Sequence, residues 1–505
     1  MAENAKLSRV RPVVVFNAST RLSGMSLNAG FSLLTAWALR LDGTPVVHFV
    51  CQRGMSRCVL GTNPLHPQMK PPCKECVAQS EVFYKDAQVR NFSYQPDALL
   101  EEMLEELPLA ALVTFEHYGV PLGRLVLPSV RWIQRRFHLL DDEPTRYLFQ
   151  EYLLSAWQVA SQFDNLLEEI NPLAVLVFNG IVFPEATARW VAEQRGIRVI
   201  THEVNLQPYS AYFSSGEATF REIDIPDTFE MTPEQDAKLD KYLEQRFKGN
   251  FSMAGVRFWK DMQGLSESFL KRAAEFKQIV PVFTNVIFDT SQEHANTVFP
   301  HMFAWLEQVL DIIKTHPDTL FVLRAHPDEA RPGKASCESV GDWAQRHRIA
   351  DLPNVIFVDA GETFSSYELI KRSKFVMMYT STIGLEASLL GAVVLCGGKA
   401  RFNKLPTVYF PQTQDEYRQQ ADELLYSETI SPPSQFRHNA RRYLYYELYR
   451  SALSFADFLK NDGVWEGYAA LKPFDWKALQ VKNSPDLWAI VRGICEEQPF
   501  LLFEE

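Results

Sequence analysis

The sequence predicts an α/β protein of two Rossmann-like domains facing a central cleft, with C-terminal helices packing back on the first domain. Three observations carry that reading. Short apolar, β-branched segments alternate with helix-length amphipathic stretches, the rhythm of parallel sheets wrapped by helices. The rhythm runs through the first 200 or so residues and restarts near residue 280. At 505 residues the chain also exceeds what one hydrophobic core normally serves.

In the first half the candidate strands are Val13 to Phe16, Val46 to Val50, Ala111 to Phe115, Ala174 to Phe178 and Arg198 to Thr201. After Phe31, Leu33, Leu34, Trp37, Ala38 and Leu41 recur at helical spacing and predict the first crossover helix. The second series is Val280 to Phe283, Leu320 to Arg324, Val355 to Val358, Phe375 to Tyr379, Val393 to Cys396 and Thr407 to Phe410. Residues 205–275 between them are charged and rich in helix formers, punctuated by Pro226 and Pro233. The expected organisation is therefore a first domain over 1–270 with a Cys-rich insertion at 51–76, a second over 271–433, and a helical extension over 434–505. In that extension Tyr443, Leu444, Tyr446, Leu448 and Tyr449 crowd adjacent turns.

Composition narrows the function classes. Hydrophobic residues make up 46% and charged residues 22%, which is ordinary for a folded protein and argues against long disordered regions. A formal net charge of -11, with no clustered Lys and Arg, excludes a nucleic-acid partner gripped through phosphates. No apolar run approaches the ~20 residues of a membrane-spanning helix. Val13 to Phe16 is too short for a secretory signal, so a cytoplasmic protein is expected.

In open parallel sheets, ligands sit beyond the carboxyl ends of the strands, and two such sheets in tandem leave a cleft. The strand Leu320 to Arg324 runs into Ala325, His326, Pro327, Asp328 and Glu329, with Pro327 stopping the strand. An imidazole N–H and a guanidinium fork at that end suit a phosphate; a salt-bridged turn is the plainer alternative. The strand Phe375 to Tyr379 leads into Thr380, Ser381, Thr382, Ile383, Gly384, Leu385 and Glu386. Ser381 or Thr382 is expected to cap a helix whose free amides and hydroxyls offer an anion site, though caps are also common without ligands. Glu386, one turn on, is placed to accept hydrogen bonds from a ribose.

Val282 to Asp289 (VFTNVIFD), Leu323 to Glu329 (LRAHPDE) and Tyr379 to Ala387 (YTSTIGLEA) resemble bacterial capsule polysaccharide glycosyltransferases, including the Kdo-transferase type and its distant sialyltransferase relatives. The resemblance covers residues 280–400. It implies a GT-B fold, a His-Pro motif on the donor phosphate, here His326 and Pro327, and a Ser/Thr pair on the same group, here Ser381 and Thr382. Thr284 and Asn285 fall on a strand-end loop bordering the cleft. The implied nucleotide-sugar contacts are thus Thr284, Asn285, Arg324, His326, Pro327, Ser381, Thr382, Gly384 and Glu386, with a CMP-, UDP- or GDP-linked donor. The implied acceptor is a surface polysaccharide or glycolipid, with peripheral contact to a membrane-bound assembly.

Transfer needs a group that takes the acceptor's proton, and the first domain should supply it. Glu116 and His117, after Ala111 to Phe115, are the preferred candidates beside His326; Glu185, His202 and Glu203 compete. The acidic pair followed by glycine that serves those sialyltransferases has no convincing counterpart. The loop Ser23 to Gly30, with Gly24, Asn28 and Gly30, either approaches a ligand or makes a tight strand-to-helix turn. Two other readings of the same frame are a sugar-nucleotide epimerase and a non-catalytic glycan-binding subunit.

Four of the seven cysteines lie close together: Cys51, Cys58, and the C-x-x-C pair Cys73 and Cys76. Four thiolates suit zinc or an iron–sulfur cluster. Reduced structural thiols and a redox pair are the alternatives.

Overall fold

The computed structural model describes residues 5–18, 24–219, 222–248, 264–464 and 467–503; Ser23 of the expected glycine loop lies outside them. In chain order the strands are β1 (Val13–Asn17), β2 (Met25–Ser26), β3 (Val46–Cys51), β4 (Val89–Phe92), β5 (Ala174–Phe178), β6 (Val199–Val204) and β7 (Ser210–Ser215). There follow β8 (Gln278–Phe283), β9 (Thr319–Arg324), β10 (Val355–Val358), β11 (Val376–Met378), β12 (Val394–Cys396), β13 (Leu453–Ser454), β14 (Leu459–Asn461) and β15 (Tyr468–Leu471).

Two sheets organise the molecule. The first has the order β13-β7-β6-β5-β1-β3-β4, parallel from β6 to β4, with β7 and β13 antiparallel. Consecutive residues of β1 point to opposite layers. Val14 and Phe16 join Phe149, Tyr152 and Phe163 of the helix Glu143–Ile170. Val13 and Val15 join Leu34 and Leu39 of the helix Leu27–Leu41, with Ile490 and Ile494 of the helix Pro485–Glu496. Covered on both faces, the strand has no polar side to alternate with, which is why it reads as a continuous apolar run. The second sheet, β10-β9-β8-β11-β12, is parallel throughout and likewise buried between two apolar layers.

The C-terminal segment divides between the two bodies. The helix Ser434–Tyr445 packs Ala440, Tyr443 and Leu444 into the core of the second sheet. β13 then pairs with β7, β15 pairs with β2, and the helix Pro485–Glu496 lies on the helix Leu27–Leu41, so the chain returns to the first body. The bodies are also joined by an ion pair, Arg131 with Glu293 at 3.1 Å, and by a hydrogen bond between His138 Nδ1 and Glu338 Oε1 at 2.6 Å. Among the described residues, no helix is long and apolar enough to cross a membrane.

Two expected strands are corrected. Ala111 to Phe115 lies largely in a short helix, Leu109–Val113, started at Pro108, which buries Leu109 and Leu112 on one side. A five-residue apolar run has no room to reveal its period, and here the three-residue spacing prevails. Thr407 to Phe410 contributes a single bridge, Leu395 to Tyr409, rather than a strand.

Candidate active site at the switch point of the second sheet

Numbered by chain order within its sheet, the second sheet runs 3-2-1-4-5, so connections leave in opposite directions from β8 and β11. Phe283 of β8 lies level with Arg324 of β9 and Met378 of β11. Three adjacent strand ends therefore release Thr284 and Asn285, His326 and Pro327, and Ser381 and Thr382 into one crevice. A cavity of about 490 Å³ opens there, walled from the first body by Glu203, Asn205 and Tyr212. That volume suits a small-molecule site.

Arg324, the last residue of β9, is 7% exposed and stands 5.7 Å from the Phe364 ring. Its Nη1 has no hydrogen-bond partner among the described residues. Burial pushes the guanidinium down to about 10, opposed by the charge of Glu362. A buried cation without a partner is costly, and an anion in the cavity would relieve it. His326 accepts the Asp328 backbone N–H on Nδ1 at 3.2 Å, which places the proton of a neutral ring on Nε2. Burial lowers its proton affinity, opposed by Asp328 and Asp289 and reinforced by Arg324. A neutral ring presenting one N–H is a hydrogen-bond donor of fixed orientation.

Thr284 and Asn285 line the cavity but are also occupied in bracing it. Thr284 Oγ1 donates to the Arg324 carbonyl at 3.0 Å, and Asn285 Oδ1 accepts the Thr380 N–H at 3.0 Å. They tie the ends of β9 and β11 to that of β8. Ser381 and Thr382 precede the helix Ile383–Leu389, and Thr382 makes no side-chain cap bond. Ser381 Oγ reaches the Ile383 N–H only at 3.5 Å, so both hydroxyls retain donor capacity. With seven residues the helix has a small dipole, and the hydroxyls matter more than the helix end. Gly384 does not line the cavity; a Cβ there would meet Met378 Cε at 2.4 Å, so this glycine serves the packing of the helix on β11.

Glu386 is held in a buried network. Arg246, from the helix Pro233–Phe247, donates to Oε1 through Nη2 at 2.6 Å and Nε at 3.2 Å, and the Tyr367 hydroxyl donates to Oε2. Oε2 keeps a lone pair for a further donor, whereas both of Oε1 are taken by Arg246, and Arg246, Tyr367 and Glu386 all line the cavity. Arg401 borders it too, paired at 3.1 Å with Glu447.

On the first body the candidates separate. Glu203, at the end of β6, lines the cavity. Its carboxylate accepts Asn28 Nδ2 at 2.8 Å, Asn179 Nδ2 at 3.1 Å and the Val204 N–H at 2.8 Å. Burial raises its proton affinity, those bonds oppose the rise, and Asp289 adds to it. Glu116 and His117 lie away from the cavity, in a turn closed between His117 and Val120, where the His117 ring packs on Tyr118 and Trp157. The short helix in place of the expected strand removes them from the row of strand ends. His202 is fully buried, its Nε2 2.7 Å from Ser32 Oγ, and burial pushes it down to about 3. Glu185 is buried near Cys58 and pushed up to about 8.

Residues 241–432 match the family of capsule polysaccharide biosynthesis proteins. The matched segment, less than half of the chain, contains Arg246, Arg324, His326, Ser381, Thr382 and Glu386; Glu203 and the four clustered cysteines precede it. Among solved structures, the chain is similar to the β-Kdo 2,4 transferase of Thermosulfurimonas dismutans KpsC, at 12% identity over 55% of this chain and 80% of that one, with a TM-score of 0.36. It is also similar to a UDP-N-acetylglucosamine 2-epimerase from Listeria monocytogenes described as putative, at 13% identity over 86% and 95% of the two chains, TM-score 0.27. A third, the UDP-GlcNAc 2-epimerase from Neisseria meningitidis bound to UDP-GlcNAc, is 13% identical over 87% and 99%, TM-score 0.22. No curated protein sequence matches the chain.

Cys51, Cys58, Cys73 and Cys76 line one small cavity at the carboxyl edge of β1 and β3, away from the cleft. The four-thiolate shell around a single ion such as zinc, expected from the spacing, is not supported. Among the described residues, no three His, Cys, Asp or Glu side chains are disposed to hold a metal ion. Burial pushes the Cys51 and Cys58 thiols up to about 12 and raises the Cys73 thiol as well. Arg246 and Tyr367 were not legible as cleft residues: Arg246 lies in an ordinary charged helix, 140 positions from Glu386.

Proposed function

We propose that this chain is a glycosyltransferase that takes a sugar from a nucleotide-linked donor to a hydroxyl of a glycan or glycolipid. One observation carries the reading: the buried guanidinium of Arg324, whose Nη1 has no hydrogen-bond partner among the described residues, stands at the switch point of the second sheet, with the His326 imidazole and the hydroxyls of Ser381 and Thr382 on the same cavity. A phosphate there supplies the missing anion. Pro327 fixes the turn that carries the imidazole. Glu386, oriented by Arg246 and Tyr367, accepts from the ribose. The match of residues 241–432 supports a role in capsule-type polysaccharide synthesis.

In this reading Glu203 takes the proton of the acceptor hydroxyl as its oxygen bonds to the anomeric carbon. The bond from that carbon to the donor phosphate breaks, and the electron pair leaves on the phosphate. Arg324 and the Nε2–H of His326 stabilise the arriving charge, an electrostatic role that needs no reorganisation once the groups are in place. The raised proton affinity of Glu203 makes it a stronger base than an exposed carboxylate.

Calorimetry with CMP, UDP and GDP tests the nucleotide site, and a panel of nucleotide sugars read by mass spectrometry tests transfer. Binding of one nucleotide by wild-type protein, weakened at least ~10-fold in Arg324→Met, is the expected result. No affinity for any of the three overturns the reading. Isomerised donor formed without acceptor assigns the site to an epimerase instead.

A further inference from the structure

We propose that Cys51, Cys58, Cys73 and Cys76 are the four ligands of an iron–sulfur cluster seated at the carboxyl edge of the first sheet. The inference stands apart from the transferase reading, since none of the four borders the cleft. All four line one cavity, otherwise walled largely by apolar groups including Met55, Leu60, Pro71 and Val77. Arg53 is the one ionic side chain among its walls.

The way the thiols are presented points to metal–sulfur ligation. Cys51 and Cys58 each begin a C-x-x-G turn, Cys51 to Gly54 and Cys58 to Gly61. In both, the glycine N–H donates back to the cysteine sulfur, at 3.2 Å for Gly54 and 3.3 Å for Gly61. Hydrogen bonds of this kind steady a cluster's sulfurs and tune its potential. Neither glycine is replaceable without movement: a Cβ at Gly54 would lie 2.1 Å from the Phe92 ring, and one at Gly61 2.6 Å from Pro71. The other pair comes from the first turn of the helix Cys73–Phe83, where spacing of three puts both thiols on one face. Two turns and one helix end thus deliver four sulfurs to one largely apolar cavity.

Spacing separates a cluster from a single ion. With Zn–S bonds of ~2.3 Å, tetrahedral ligation needs the four sulfurs drawn to within ~3.8 Å of one another. All four thiols line the one cavity, yet among the described residues no three such side chains are disposed to hold a single ion. A cluster distributes its attachment sites over several irons, with sulfide filling the space between. Each thiol gives up its proton on ligation.

The test is chemical and uses the full chain. Protein purified without oxygen, and a sample reconstituted with ferrous iron and sulfide, are assayed for iron, acid-labile sulfide, visible absorption and the electron paramagnetic resonance of the reduced form. Expected are ~2–4 irons with matching sulfide per chain and a broad sulfide-to-iron absorption band. Cys58→Ser and Cys73→Ser should each lose most of both, while Cys337→Ser retains them. Wild-type protein with under ~0.1 iron per chain after reconstitution, or one zinc without sulfide, overturns the proposal. Full loading of Cys58→Ser overturns it equally, and because the wild-type measurement stands alone, a variant that fails to fold does not shield it.

Discussion

Replacing Arg324 by methionine should make the protein more stable while weakening its affinity for nucleotide at least ~10-fold. The guanidinium is buried, Nη1 has no hydrogen-bond partner among the described residues, and burial pushes the group down to about 10. At ~1.4 kcal/mol per tenfold change in proton affinity, keeping the ion charged at neutral pH costs the folded state about 3 kcal/mol. The sign is fixed: for a base whose affinity is depressed by folding, the penalty is fully present at pH below about 10 and is relieved only above it. Methionine keeps the volume and discards the charge, and part of the gain is lost to imperfect packing, leaving about 1–3 kcal/mol. The assay is urea denaturation at pH 7, with and without saturating nucleotide. Wild-type protein should gain about 2.7 kcal/mol at a hundredfold excess over its Kd, and the variant, binding at least ~10-fold more weakly, at most about 1.4 kcal/mol. A variant that is less stable than wild type by more than about 1 kcal/mol, yet binds nucleotide equally well, would refute the reasoning, because Arg324 would then be a structural ion.

Three further outcomes follow from the same geometry. Glu203→Gln should preserve donor affinity and lower kcat by roughly 10²–10⁴. Wild-type activity should fall with decreasing pH through a value above the ordinary carboxylate range, and the variant should lose that limb; an unchanged profile removes Glu203 from proton transfer. Arg246→Ala leaves Glu386 buried and uncompensated, for a loss of about 3–5 kcal/mol in denaturation and a raised donor KM; a loss under about 1 kcal/mol would contradict the buried pairing. Glu185, pushed up to about 8, keeps its proton in the folded state while the unfolded chain releases it near pH ~4, so wild-type stability declines as pH rises towards 8. Glu185→Gln should flatten that decline and add about 2–3 kcal/mol at pH 8, Glu329 supplying the slope that remains; an identical slope in both proteins would refute it.

The second sheet was the most readable part of the chain because its strands are short, apolar and separated by helices of ordinary length. Leu320 to Arg324 was placed one residue short of β9, and the strand-end position of Arg324 and His326 followed directly. The first sheet was read less well where its strands are not apolar. β4, with Arg90 and Asn91 exposed at the sheet edge, carries no periodic signal, and the serines of β7 mask an antiparallel strand. At the site, local chemistry named Arg324, His326, Ser381 and Thr382, but the preference for Glu116 and His117 rested on a strand that folds as a helix. The union of Glu203 with Asn28 and Asn179 spans three separate segments, and no local pattern announces it.

The polypeptide passes between the two bodies twice, once ahead of β8 and again between the helix Ser434–Tyr445 and β13. A single tether would permit one half to swivel freely over the other. Two tethers define an axis, and opening or shutting of the crevice becomes a rocking motion about it, with Arg131–Glu293 and His138–Glu338 as latches. In the proposed transferase, parting of those latches would open the way for a donor to enter and the spent nucleotide to leave.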